Sequence, residues 1–87
     1  MPDGQPATRR LDASGLACPL PVLKARKALV AMAPGERLAL TATDPLAAID
    51  IPHFCTEAGH RLIASEQRDG AWHFTIERGD NPRNGGP

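Results

Sequence analysis

Turn and helix-stop signals cut this chain into short periodic pieces, and that spacing limits the fold more than any other feature. Ser14-Gly15, Pro34-Gly35, Asp44-Pro45, Gly59 and Arg68-Asp69-Gly70 each fall between segments with an apolar pattern. Residues 1–8 and 79–87 are rich in Gly, Pro and polar side chains and read as disordered tails around one domain at 9–78. No apolar run approaches the ~18 residues of a membrane span, and no secretory leader is expected.

The periods assign the pieces. Arg9 to Ala13 predicts a strand with Leu11 and Ala13 on one side. A helix is predicted from Cys18-Pro19 up to Pro34-Gly35. Val22, Ala25, Leu29, Met32 and Ala33 form its stripe, flanked by Leu23 and Val30. Proline suits the first helical position, where its missing N–H would be unpaired anyway, so Pro19 is placed there. Arg37 to Thr43 alternates as a half-buried strand. Asp44-Pro45 opens a second helical region in which Leu46 and Ile49 begin a stripe. Pro52 predicts a break or kink, with Asp50 capping a further piece that buries Ile51, Phe54, Cys55 and Ala58. His60 to Glu66 and Trp72 to Arg78 predict an antiparallel hairpin, with Trp72 and Phe74 in the core.

The order is βαβαββ. A strand–helix–strand opening closes best as a parallel crossover, and the hairpin adds antiparallel pairs. The expected fold is an α+β two-layer sandwich: a four-stranded mixed sheet with two helices on one face. The other sheet face would be wet, rich in Thr, Ser, His and Glu.

A chain of 87 residues buries only about 60% of its unfolded surface, so chemistry is expected near the surface. Ten basic and ten acidic residues cancel, which argues against a direct nucleic-acid binder. Two cysteines are too few for a disulfide framework, and a cytoplasmic, reducing setting is the default. His53, His60 and His73 have no metal-ligand spacing, so surface or edge positions are expected, with no metal and no cofactor.

Cys18 is the candidate catalytic residue. It falls where a strand-to-helix loop meets a helix N-terminus, at the cap or beside it. The dipole and unpaired N–H groups there favour a thiolate. Pro19 and Pro21 lack N–H groups and fix φ, leaving Leu20 and Val22 as first-turn donors in a stiffened turn. A buried structural cysteine ahead of an ordinary helix is the competing reading. A persulfide suits an exposed perch, since its terminal sulfur can be attacked by another thiolate. No Cys-X-X-Cys pair is present to close an internal disulfide.

The run Leu11-Asp12-Ala13-Ser14-Gly15-Leu16-Ala17-Cys18-Pro19-Leu20-Pro21 resembles the signature of TusA/SirA-type sulfur carriers. Pro34-Gly35-Glu36, Thr43-Asp44-Pro45, Asp50-Ile51-Pro52-His53-Phe54-Cys55 and Gly59-His60 resemble that family too, so the likeness runs from about Leu11 to Arg78. It implies a fold like the C-terminal domain of a translation initiation factor, and Cys18 as the sulfur-carrying residue on a loop and helix start formed by Gly15, Pro19, Leu20 and Pro21. It also implies a cysteine desulfurase or rhodanese-like donor and a downstream acceptor protein, the carrier acting stoichiometrically within a relay. The end product in the closest-named members is tRNA 2-thiouridine; other members serve sulfur oxidation or cofactor assembly. The tRNA-thiolation members often have Glu between the two prolines, where this chain has Leu20.

Lys24, Arg26 and Asp44 are candidate partner contacts. Arg26 is read either as a snorkelling side chain over the core edge or as a group pairing with Asp44; Asp44 is read chiefly as a helix cap. Cys55 is expected to be buried and inert. A thiol-redox or regulatory module pairing Cys18 with Cys55 or with a partner's cysteine, and a pure binding domain such as one for RNA, are the competing functions.

Overall fold

The computed structural model describes residues 8–80. The elements run β1 (Thr8–Ala13), α1 (Leu20–Val30), β2 (Arg37–Ala42), α2 (Ala47–Ala58), β3 (Arg61–Arg68) and β4 (Ala71–Glu77). Apart from Thr8, Gly79 and Asp80, the expected tails lie outside the described residues. Thr8 pairs with Arg37, and Gly79 donates its N–H to His60 at 3.0 Å.

The sheet order is β1-β2-β4-β3. β1 and β2 are parallel, in register from Thr8↔Arg37 to Ala13↔Ala42. β4 pairs antiparallel with both β2 and β3. The sheet is therefore mixed, and its order follows from the hairpin inserting β4 rather than β3 beside β2. Asp69 and Gly70 both take positive φ (52° and 79°) at the hairpin turn, the combination a two-residue turn between twisted strands requires.

One face of the sheet supplies Ala13, Leu38, Leu40, Ala42, Phe74 and Ile76 to the core, and the helices cover it with Ala25, Leu29, Ile51, Phe54 and Cys55. Burying a large apolar side chain of this kind contributes about 1.5–3 kcal/mol. The opposite face carries Arg10, Thr41, His73 and Thr75 around a shallow open depression, where Thr41 Oγ1 and His73 Nδ1 lie 3.4 Å apart.

Both helices differ from their sequence reading. Pro19 is the N-cap of α1 and Leu20 takes the first helical position. The C-terminal end comes early: after Val30 the bonds Ala31 N–H to Ala28 O and Met32 N–H to Leu29 O tighten the last turn. Pro34 disfavours helical geometry at Ala33. Of the expected stripe, Ala25, Leu29 and Met32 are buried and Val22 is half-buried, while Leu23, Val30 and Ala33 are exposed.

Instead of breaking at Pro52, α2 runs through it. Pro52 comes just after the first turn, so only the bond to the Ala48 carbonyl is forfeited; that costs about 3 kcal/mol, offset by the packing of Ile51 and Phe54. A continuous helix sets one phase, burying Ala47, Ile51, Phe54, Cys55 and Ala58. Leu46 and Ile49, expected on the inner stripe, are 51% and 68% exposed as a result. His60, expected at a surface or edge, is buried instead. It follows the left-handed Gly59 cap and packs its ring 5.7 Å from Phe54.

Candidate functional site

Parallel strands β1 and β2 end level, at the pair Ala13↔Ala42, so the loops that follow them lie side by side. The carboxyl ends of neighbouring parallel strands are where open α/β sheets place their ligands.

The first loop is fastened residue by residue. Asp12 Oδ1 accepts the Ser14 N–H at 2.9 Å, and the Ser14 hydroxyl first, then this N–H, hold the Asp12 carboxyl below its usual range. Gly15, at φ 80°, donates its N–H to Thr43 Oγ1 at 2.8 Å. Cys18 N–H donates to Asp44 Oδ2 at 2.6 Å, and Asp44 Oδ1 accepts the Leu46 N–H at 3.0 Å. Asp44 is not the helix cap expected of it, since Leu46 is the N-cap of α2 and has no side-chain cap; its carboxylate closes the turn before the helix and tethers the two loops. The Cys18 N–H and then the Leu46 N–H hold its carboxyl below the usual range. The Cys18–Pro19 peptide bond is cis.

Cys18 is exposed, which removes the buried structural reading. Its S–H donates to Asp50 Oδ2 at 2.7 Å. The hydrogen bond to Asp50 is the main reason the thiol is pushed above its ordinary range, with burial and the charges of Asp50 and Asp44 acting the same way. The expected depression by the helix N-terminus is overturned. The Leu20 N–H, counted as a donor for the sulfur, is taken by the Ala17 carbonyl at 2.8 Å, and the sulfur turns toward a carboxylate.

A groove of roughly 400 Å³ opens beside the sulfur, between α1 and α2, lined by Cys18, Val22, Arg26, Asp50, His53 and Phe54 among others. The Arg26 guanidinium lies 5.1 Å above the centre of the Phe54 ring. Among the described residues Arg26 forms no ion pair with Asp44; the ring is its partner. Lys24 is exposed and does not line the groove. Leu20 is 45% exposed beside Cys18, and Pro21 is buried in the first turn.

Asp50 is the site residue that the sequence reading missed. It is no cap of a second piece, because α2 has no second piece; it stands in the first turn and faces the sulfur. Its six-residue spacing from Asp44 was the available signal, usable only once α2 is taken as unbroken. No group of three or more His, Cys, Asp and Glu among the described residues is placed to hold a metal ion. No described helix is long and apolar enough to cross a membrane.

The model of the family described as Sulfurtransferase TusA matches residues 9–78. This chain belongs to the TusA family. The Sulfur carrier protein TusA of Allochromatium vinosum is 44% identical over 70 residues, covering 80% of this chain and 92% of that protein. The crystal structure of a SirA-like protein from Desulfitobacterium hafniense superposes with a TM-score of 0.71 at 25% identity, covering 80% of this chain and 96% of that one. The TusA assignment thus covers all six elements described above except Thr8, the first residue of β1. The sulfur-carrier likeness of the Leu11 to Arg78 blocks and the βαβαββ fold both stand.

Proposed function

We propose that this TusA-family protein carries sulfur as a persulfide on Cys18. The observation that supports this best is an exposed cysteine whose backbone N–H is pinned to Asp44, at the mouth of the groove between the helices. In the loading step the Cys18 sulfur bonds to the terminal sulfur of a donor persulfide. The donor's S–S bond breaks, and the donor thiol departs with the Cys18 proton. A cysteine desulfurase or rhodanese-like protein would serve as donor, in the cytoplasm, where thiols stay reduced. Delivery to an acceptor thiol repeats the exchange with the roles reversed.

Leu20 bears on the acceptor. An exposed apolar residue next to the sulfur replaces the Glu often found in tRNA-thiolation members. The relay is therefore proposed either for 2-thiouridine synthesis with an acceptor tolerant of an apolar contact, or for sulfur oxidation or cofactor assembly. Lys24 is available for docking at the surface, while Arg26 presents its charge within the groove. A Cys18–Cys55 redox pair is disfavoured, because Cys55 is buried and its thiol is pushed up to about 11 by burial.

Incubation with a cysteine desulfurase and cysteine is expected to add one reducible sulfur, seen by mass spectrometry on the peptide holding Cys18. Cys55→Ser should load normally. Equal loading of Cys18→Ser would reject the assignment.

A further inference from the structure

An exposed thiol has water to bond to, yet Cys18 donates to Asp50 Oδ2 across 2.7 Å. That contact needs a proton on sulfur, since a thiolate and a carboxylate so close repel. It also fixes where the sulfur points. Among the groups around it, Asp44 holds the Cys18 N–H from the loop before α2. Arg26 of α1 and Asp50, His53 and Glu57 of α2 line the groove. The Arg26 guanidinium is occupied by the Phe54 ring, and the two aspartates are the groups bonded to Cys18 itself. A helix N-terminus favours a thiolate, but its influence fades within a turn. A direct bond to a carboxylate outweighs it.

We infer that Asp50 is a positioning residue that restrains Cys18 in the free carrier, keeping the proton on sulfur until a cationic side chain of a sulfur-donating protein pairs with the carboxylate. The inference rests on the persulfide reading above. The partner's Lys or Arg occupies Asp50, the S–H loses its acceptor, and the sulfur ionises where it is already aimed. The exchange balances without an oxidant: a donor R–S–SH and Cys18–SH become R–SH and Cys18–S–SH. The new S–S bond forms as the old one breaks, and the proton of Cys18 ends on the departing thiolate. Once loaded, the Cys18 sulfur has no proton for Asp50, and the carboxylate repels the anionic terminal sulfur outward, toward an acceptor. Between partners the thiol is a poor nucleophile, which protects an exposed cysteine from oxidants.

The full chain is alkylated with iodoacetamide across a pH series, with modification of Cys18 followed by mass spectrometry and folding checked by circular dichroism. The reaction midpoint is expected to fall from wild type to Asp50→Asn and further in Asp50→Lys. At neutral pH the rate should rise about three- to fourfold for each unit of that fall, because the gain in thiolate fraction is partly offset by its lower nucleophilicity. Glu57→Gln, on the same groove but not bonded to the sulfur, should stay near wild type. An unchanged midpoint in Asp50→Asn overturns the restraint, as does an equal shift in Glu57→Gln. Loading by a cysteine desulfurase is then followed against added salt. Wild type should slow more steeply than Asp50→Asn, because one screened charge pair is missing from the variant; equal slopes overturn the role of the partner's cation. Loading without a midpoint shift removes Asp50's role and leaves the carrier reading intact, whereas a shift without loading keeps the restraint on the thiol but rejects the carrier reading and the donor's cation with it.

Discussion

The backbone N–H of Cys18 is bonded to the side chain of Asp44 at 2.6 Å, although 26 residues separate them in the chain. The same carboxylate holds the Leu46 N–H at the approach to α2. One residue therefore sets the position of the thiol and closes the turn that leads into the helix supplying Asp50. Asp44→Ala should lose both functions: a melting temperature lower by several degrees, read by circular dichroism, and slower sulfur loading. Asp44→Asn, which keeps an acceptor oxygen, should fall between. An Asp44→Ala protein that melts and loads like wild type would remove the tether from the account.

The two cysteines should behave as different chemical species. Cys55 is 2% exposed and its thiol is pushed up to about 11 by burial, so at neutral pH only about one part in ten thousand is thiolate. Iodoacetamide should modify Cys18 alone in the folded protein and both cysteines in denaturant. Because the folded value lies above the ordinary one, the stabilising contribution is complete below pH 9.0 and is lost as pH rises toward about 11. Urea midpoints of wild type and Cys55→Ala should converge over that interval.

Burial lowers the affinity of His60 for a proton, and the charges of Arg78 and Arg26 add to it. The unfolded chain then binds the proton more tightly than the folded one. Stability linked to His60 is present above its ordinary value of 6.5 and falls as the pH drops below it. His60→Asn keeps an acceptor for the Gly79 N–H without a titrating ring. Its urea midpoint should depend less on pH than that of wild type between about pH 7.5 and about pH 5. Parallel curves for the two proteins would show that another group carries the dependence.

Gly79 passes directly over the Gly59 carbonyl, and an added Cβ would collide with that backbone oxygen. Gly59 is fixed as the left-handed cap of α2, at φ 84°, and cannot yield easily. Gly79→Ala should cost about 1–3 kcal/mol, the usual penalty of overpacking, measured by urea denaturation. The variant should still load sulfur, since the strain is at the C-terminal end of α2 while Asp50 sits in its first turn.

The order of elements was legible because each boundary carries its own local chemistry. Gly15, Gly35, Gly59 and Gly70 all adopt positive φ, and each was read as a break. Alternation in β2 and β4 matched the buried faces Leu38, Leu40, Ala42 and Phe74, Ile76. The continuity of α2 was not legible: local preference at Pro52 argues for a break, and the packing that overrides it comes from residues far away in the chain.

By itself, the amino-acid sequence determined the six elements and the two-layer fold and singled out Cys18 as the candidate, since these depend on periodicity, turn chemistry and a contiguous motif. The proton on that sulfur was decided only in three dimensions. A helix N-terminus is visible in one dimension, but the carboxylate of Asp50, 32 residues away and 2.7 Å from Sγ, reaches the thiol only when α2 runs unbroken and packs beside α1. At contact distance that single charge outweighs the dipole of the helix.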